Sequence, residues 1–419
     1  MKRQQASQST LLLQNFKSFL RSDYANGSLL LLATLGAILL ANGPWSAPYH
    51  QLLEHNLTLR LGPLEITETV QDWINSTLMA VFFLTVGLEI KQELVLGSLS
   101  SARKAALPMA GAIGGMIVPA LIFALFNWQK STLVGWAIPM ATDPAFAIAI
   151  LSVLRNRIPA GLRAFLVTLA VVDDIGATIV IALVYHEGFL LLPILVSAAI
   201  VLLLLLLAKG GVQSLIPYLI LGVFLWAAFM ESGIHTSVAG VILALTIPVR
   251  SRHADQAGPV TRLEHVLTPW VNYCILPVFA LSNAGISFHG ISLSAVFLTP
   301  VVVGIFLGLL IGKPMGIVAA CLVAVLLHVA HLPEGVRWRH LVGAGFLGGI
   351  GFTTSIFLAN LAFPGDVLFD YSKIGILPAS VSAAILGWFL LMMVSRTETA
   401  AKPIRAIAYP VSWKDADNS

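Results

Sequence analysis

Apolar residues run through this chain in unbroken stretches of roughly 20, the length an α-helix needs to cross the core of a bilayer. Read in order, the stretches predict twelve spans, at about 25–42, 70–95, 105–126, 131–153, 160–185, 190–208, 214–228, 233–248, 261–283, 301–325, 340–363 and 371–395. Leu, Ile, Ala, Val and Gly follow one another without the in–out alternation of an outer-membrane barrel, so helices rather than strands do the spanning. The expected fold is an all-α integral membrane protein. One segment departs from the pattern. Leu57-Thr-Leu-Arg-Leu-Gly-Pro-Leu-Glu-Ile-Thr67 alternates around Gly62-Pro63 and predicts a short external β-hairpin. Its edge either pairs with a second copy, giving a homodimer, or the loop merely covers helix ends. Both readings stay open here.

Charge supplies the orientation. The N-terminus carries Lys2, Arg3, Lys17 and Arg21, and alternate loops carry Arg103 and Lys104, then Arg155, Arg157 and Arg163, then Lys209, then Arg250, Arg252 and Arg262, then Arg337 and Arg339. The C-terminal tail adds Arg396, Lys402, Arg405 and Lys414, while the opposite loops hold only Arg60, Lys130 and Lys373. By the positive-inside rule both termini are cytoplasmic and the number of spans is even.

Composition narrows the class. The 419 residues are 58% hydrophobic and only 11% charged, which excludes a soluble enzyme. A net charge of +4 would suit nucleic acid, but the basic residues lie between hydrophobic segments, so the lipid bilayer is the expected partner. The two cysteines, Cys274 and Cys321, both fall in apolar spans and imply neither a disulfide framework nor a zinc site. The first ten residues are polar and lead into a long span without a small-residue cleavage site, so no removable signal peptide is expected.

Within the spans, polar residues are few and costly. Asp173 and Asp174 stand side by side in the apolar run from Phe165 to Val184. Each costs roughly 2.5–3.5 kcal/mol to insert, and intramembrane carboxylates mark ion or proton pathways. Successive helical residues point about 100° apart, so the two aspartates occupy different environments. The fourth span contains Pro139-Met-Ala-Thr-Asp-Pro-Ala-Phe146. Pro144 removes a backbone donor and disfavours helical geometry at Asp143, and Asp-Pro is an N-cap followed by the first helical position. A helix broken there exposes carbonyls and a positive helix end, with Thr142 and Asp143 supplying oxygens; a plain proline kink capped by aspartate is the simpler alternative.

The eleventh span has its own weak point, Gly343-Ala-Gly-Phe-Leu-Gly-Gly-Ile-Gly-Phe-Thr-Thr-Ser355. Gly343 to Gly348 spells GxGxxG, but no strand precedes it and it lies at membrane depth, so a dinucleotide site is rejected. A glycine-weakened helix that unwinds fits better. In the tenth span Gly304, Gly308, Gly312 and Gly316 recur every four residues, a stripe that permits close helix approach. Lys313 lies within it, followed by Pro314 where a P-loop would carry Ser or Thr. It is either the counter-ion of an aspartate or a proton carrier. Spans 3–5 and 10–12 thus form two triplets with an interrupted middle member, a pattern that points to a transporter's binding site.

Eight segments in order, Val86-Gly-Leu-Glu-Ile-Lys91, Ala141-Thr-Asp143, Val171-Val-Asp-Asp-Ile175, Ser232-Gly-Ile-His235, Arg262-Leu-Glu-His265, Ser282-Asn-Ala-Gly285, Gly312-Lys-Pro314 and Gly349-Ile-Gly-Phe-Thr353, resemble the NhaA family of bacterial sodium/proton antiporters. The resemblance runs from about Asp23 to the last span. The interrupted-repeat rule was itself drawn partly from NhaA, so these two readings of the fold are not independent. The resemblance implies inverted-topology repeats, a core from 105–185 and 301–395, and an interface part from 25–95 and 190–283. It implies a transported sodium or lithium ion on Asp174 with Asp173 beside it, support from Asp143 and Thr142, and Lys313 paired with Asp173. It also links Glu89, Glu93, Glu264, His265 and His235 to pH response. No resident cofactor is implied, and the location is a bacterial inner membrane. Gln92, Thr268, Ser76 and Pro144 depart from residues common in the family, namely Arg, His, Asp and an aliphatic residue. The thinner set of pH-linked residues predicts a weaker or shifted pH response.

The chemistry expected is competition between a cation and protons for the same oxygens. Ionised carboxylates attract a hard cation, and protonated ones release it. If two protons exchange for one sodium, each cycle moves net charge. An intramembrane aspartyl protease would draw its pair from different helices, and its GxGD signature is absent. A passive channel would need a symmetric lining or a carbonyl filter.

Overall fold

The computed structural model describes residues 23–400, apart from 62–63, 155–156, 187, 189, 252–256 and 289–291. The basic residues up to Arg21, Arg155, Arg252, those beyond residue 400, and the Gly62-Pro63 turn therefore lie outside the described residues. Among the described residues, nine helices are long and apolar enough to cross a membrane: Ala25–Asn42, Val70–Val95, Ala102–Phe126, Ser131–Val153, Ala160–Val184, Leu191–Lys209, Pro259–Asn283, Pro300–Leu326 and Val367–Val394. They are spans 1–6, 9, 10 and 12. Span 11 is a pair of helices, Trp338–Gly348 and Phe352–Ala362, that meet at 46°, and spans 7 and 8 are the shorter Ile216–Met230 and Ser237–Thr246. The chain is an all-α membrane protein.

Two expectations need correction. Span 8 begins at Ser237 rather than near residue 233, because Gly233 takes φ +80° and the Ser232 hydroxyl accepts from the Ile234 amide. His235 therefore precedes the helix. Lys373, placed above among loop cations, lies in the first turns of span 12, where it is buried and paired with Asp370 at 2.6 Å. Lys313 is thus not the single buried intramembrane base.

The external segment forms strands β1 (Asn56–Leu61) and β2 (Leu64–Thr69), paired antiparallel with Asn56 opposite Thr69 and Leu59 opposite Ile66. Period-two alternation gives this ribbon its register.

Span 3 lies directly on span 10. A Cβ built on Gly114 would stand 2.2 Å from the Gly316 carbonyl oxygen, and one on Gly316 would stand 2.1 Å from that of Gly114. Only glycine lets the two backbones meet, and membrane helices gain attraction from such proximity. A continuous buried core runs through spans 1–5 and 8–12. A second cluster joins spans 6, 7 and 8 to Leu84 and Leu88 of span 2 and Leu263 of span 9. The outward faces remain apolar, with Leu191, Leu192 and Leu195 of span 6 among the exposed residues. That suits lipid as the surrounding solvent.

Candidate functional site

The fourth span is broken where its sequence predicts. Ser131–Met140 is wound as a 3-10 helix, residues 141–143 are non-helical, and an α-helix restarts as Pro144–Val153. Asp143 caps that restart, its Oδ1 accepting from the Phe146 amide at 3.2 Å. In the eleventh span the break falls at Gly349, Ile350 and Gly351, between the two helices of the bent pair.

The breaks cross and complete one another's hydrogen bonding. The Asp143 amide donates to the Ile350 carbonyl at 2.6 Å. The Thr353 amide donates to Asp143 Oδ2 at 3.0 Å, and the Thr353 hydroxyl donates to the same oxygen. One carboxylate therefore receives the first-turn amides of two half-helices, whose positive ends it counters. The Ser355 hydroxyl donates to the Ile138 carbonyl at 2.8 Å, and the Lys313 ammonium donates to that of Met140. A cation and a hydroxyl thus meet the orphan carbonyls at the end of the first half of span 4. At membrane depth such groups have no water to turn to.

The vicinal aspartates face different neighbours, as the helical offset requires. Lys313 Nζ lies 2.8 Å from Asp173 Oδ2, with both side chains removed from solvent. The Thr142 hydroxyl is 2.6 Å from the same oxygen and 2.8 Å from the Gly348 carbonyl. Having one proton, it donates to one of them at a time. Asp173 Oδ1 is buried without a hydrogen-bond partner. Asp174 instead lines a cavity of about 520 Å³, together with Glu89, Asp143, Pro144 and Thr353. The cavity walls come from spans 1, 2, 4, 5, 9 and 11.

The other residues singled out from the sequence divide into three groups. Glu89 lines the cavity, as does Thr268. Glu264 accepts from the Gln92 amide, and Glu93 accepts from the Ser98 amide at 2.7 Å, both where spans 2 and 9 reach the basic loops; His265 is exposed on that surface. His235 is elsewhere, hydrogen bonded to Ser237 at 2.8 Å and edge-on to the Phe357 ring at 5.3 Å. Ser76 contributes its carbonyl to Trp226 and Thr236, while its hydroxyl is buried without a partner.

Sequence reading missed two residues here. Ser380 of span 12 accepts from the Gly351 and Phe352 amides at 3.3 and 3.2 Å, capping the second half of span 11. Asn26 of span 1 lines the cavity. A serine or asparagine inside an apolar run is the available signal, but nothing local says what it faces. Among the described residues no group of three or more His, Cys, Asp or Glu side chains is placed to hold a metal ion. The cavity is instead lined by the carboxylates of Glu89, Asp143 and Asp174 and the hydroxyls of Thr85 and Thr353, oxygen donors of the kind that hard cations take.

Compared with known families, the chain matches the model described as Na+/H+ antiporter 1 over residues 17–391. It belongs to the NhaA family. The Na(+)/H(+) antiporter NhaA of Escherichia coli O139:H28 is 47% identical over 382 residues, covering 90% of this chain and 97% of that one. The Na(+)/H(+) antiporter NhaA of Shewanella pealeana is 45% identical over 381 residues, covering 90% and 97%. That of Shewanella amazonensis is 46% identical over the same shares of each chain. NhaA membership extends across both interrupted spans and the aspartate pair, so the crossed breaks lie inside the matched region.

Proposed function

We propose that this NhaA-family protein exchanges cytoplasmic sodium or lithium for external protons across a bacterial inner membrane, as a secondary active transporter with no resident cofactor. The observation that carries the reading is the contrast within the aspartate pair. Asp174 lines the cavity while Asp173 is held by Lys313, at the crossing of two broken helices.

In this reading Asp174 is the principal cation ligand. Asp173, Thr142 and Asp143 shape the site around it, and Lys313 compensates charge. An ionised Asp174 attracts the cation, and a proton arriving there removes the attraction and releases it. Because proton and cation compete for one group, the site carries one or the other, and exchange is obligatory when only a loaded site changes access. In this reading the basic loops are cytoplasmic, so the ends of spans 2 and 9 that carry Glu93 and Glu264 face the cytoplasm. Spans 3–5 and 10–12 form the core that changes access. Spans 1, 2 and 6–9 form the interface part, and the β1–β2 ribbon joins two copies into a dimer. Glu89, Glu93, Glu264 and His265, with His235 apart from them, tune the response to pH.

The test is pH-gradient dequenching in everted vesicles, with sodium, lithium and potassium added at several pH values. Sodium and lithium are expected to dissipate the gradient. Asp174→Asn, inserted and folded, is expected to lose exchange by a factor of at least about 100, the loss expected when a group required in every cycle is removed. Full exchange by that variant would refute the site.

A further inference from the structure

We infer that the cavity contains a second, waiting cation site, in which the Glu89 carboxylate, the Thr85 hydroxyl and the Asn26 amide carbonyl hold one monovalent cation before it reaches Asp174. The inference rests on the exchange reading above, brings in Asn26 and Thr85, which that reading leaves unused, and gives Glu89 a role beyond pH response.

Glu89 and Thr85 are four residues apart on span 2, so they share one helix face, and both line the cavity. The Thr85 hydroxyl donates to the Val81 carbonyl at 3.2 Å, which leaves its oxygen able to accept or to ligate. Asn26 also lines the cavity, from span 1. Gly27 next to it seats span 1 against the second half of span 4, since a Cβ built there would lie 3.0 Å from Ala149 Cβ. Asn26 is therefore held at the level of the half-helix that Asp143 caps.

The independent observation is the state of the Asn26 amide. Asn26 is 7% exposed, and its Oδ1 is buried with no hydrogen-bond partner. A buried carbonyl oxygen lacking a donor is costly, and one that borders a cavity is satisfied by whatever positive group enters. Rotation about χ2 exchanges the two ends of the amide, so the carbonyl can be turned towards an arriving ion.

Chemistry selects the ligand. One carboxylate and two neutral oxygens suit a singly charged hard cation better than a divalent one, whose sites carry more carboxylates. They also hold it weakly. Conduction along a path needs binding strong enough to draw the ion in and weak enough to let it leave. The 520 Å³ cavity leaves room for much of the ion's water shell, given roughly 30 Å³ for each water in the liquid. Glu89 and Asp174 line the same cavity, and like charges there repel. A cation at Glu89 thus offsets repulsion between the two carboxylates and waits within the field of the next ligand.

Charge recording on a solid-supported membrane separates this site from turnover. With Asp174→Asn proteoliposomes, sodium jumps are expected to give a transient charge displacement without sustained transport. Adding Asn26→Ala should shrink it, and adding Glu89→Gln should remove it. No displacement from Asp174→Asn, in a preparation whose wild type exchanges, would overturn the waiting site, as would a displacement unchanged by both added substitutions. In steady-state exchange, Asn26→Ala and Thr85→Val are expected to raise the sodium KM roughly three- to tenfold with kcat within about twofold. Asn26→Asp keeps a carboxyl oxygen and should restore the KM. A lowered kcat at unchanged KM for both Asn26→Ala and Thr85→Val assigns them to packing and overturns the proposal. A wild type that moves no protons on a sodium gradient overturns the exchange reading instead.

Discussion

The two broken helices reach similar geometry by different routes. In the fourth span the break is written into adjacent residues. Pro144 cannot donate and disfavours helix at Asp143, and Asp143 caps the restart through its own side chain. In the eleventh span no residue forbids a helix. Glycines only lower its stability, and the neighbours complete the break. A Cβ on Gly349 would come 2.5 Å from the Leu309 carbonyl oxygen of span 10, and Ser380 of span 12 takes the amides of Gly351 and Phe352. One break is a property of its segment, and the other a property of the packed protein.

Substitutions can break or sharpen that contrast. The largest effect is expected from Lys313→Ala, which deprives both the Met140 carbonyl and Asp173 of their cation. Removing one partner of a buried ion pair costs about 3–5 kcal/mol, visible as a lower thermal unfolding midpoint in detergent. Asp143→Ala comes next, because one carboxylate caps both half-helices. Each lost cap is worth roughly 0.5–2 kcal/mol, so unfolding should register a loss of about 1–4 kcal/mol. Gly349→Ala should cost about 1–3 kcal/mol, since backbone rather than a yielding side chain stands in the way. Ser380→Ala should cost about 1 kcal/mol and be confined to the eleventh span, where amide exchange of Gly351 and Phe352 should quicken. If Ser380→Ala instead loosened the fourth break as much as the eleventh, the distinction between the two would fail.

Much of this was legible beforehand, and the pattern of what was not follows the same division. The spans, the β1–β2 ribbon and the Asp-Pro break depend on hydrophobic length, period-two alternation and proline sterics, all local. The glycine run signalled a weak helix in span 11, and its exact turning point needed Leu309 and Ser380. From the sequence Lys373 reads as a loop cation, because it stands near the edge of an apolar run. Only the fold shows Asp370 and the Gly285 carbonyl, 2.8 Å away, receiving it inside the helix. Asn26 and Ser380 carry little signal in the sequence for a related reason. A neutral polar residue costs little to insert, so it leaves no signal as strong as a charge does.

By itself, then, the sequence determined the class, the twelve apolar stretches, their alternating charge and the requirement that Asp173 and Asp174 face apart. These follow from transfer free energies and helix geometry, which act residue by residue. The NhaA resemblance already paired Lys313 with Asp173, but the residues alone left open which aspartate meets a cation. Tertiary structure decided which one meets Lys313 at 2.8 Å and which opens on the cavity, and that Asp143 serves two helices at once. Those outcomes depend on how span 5 is rotated against spans 4, 10 and 11. Rotation is set by packing between distant segments, through backbone approaches such as Gly114 on Gly316, and no single stretch of chain contains it.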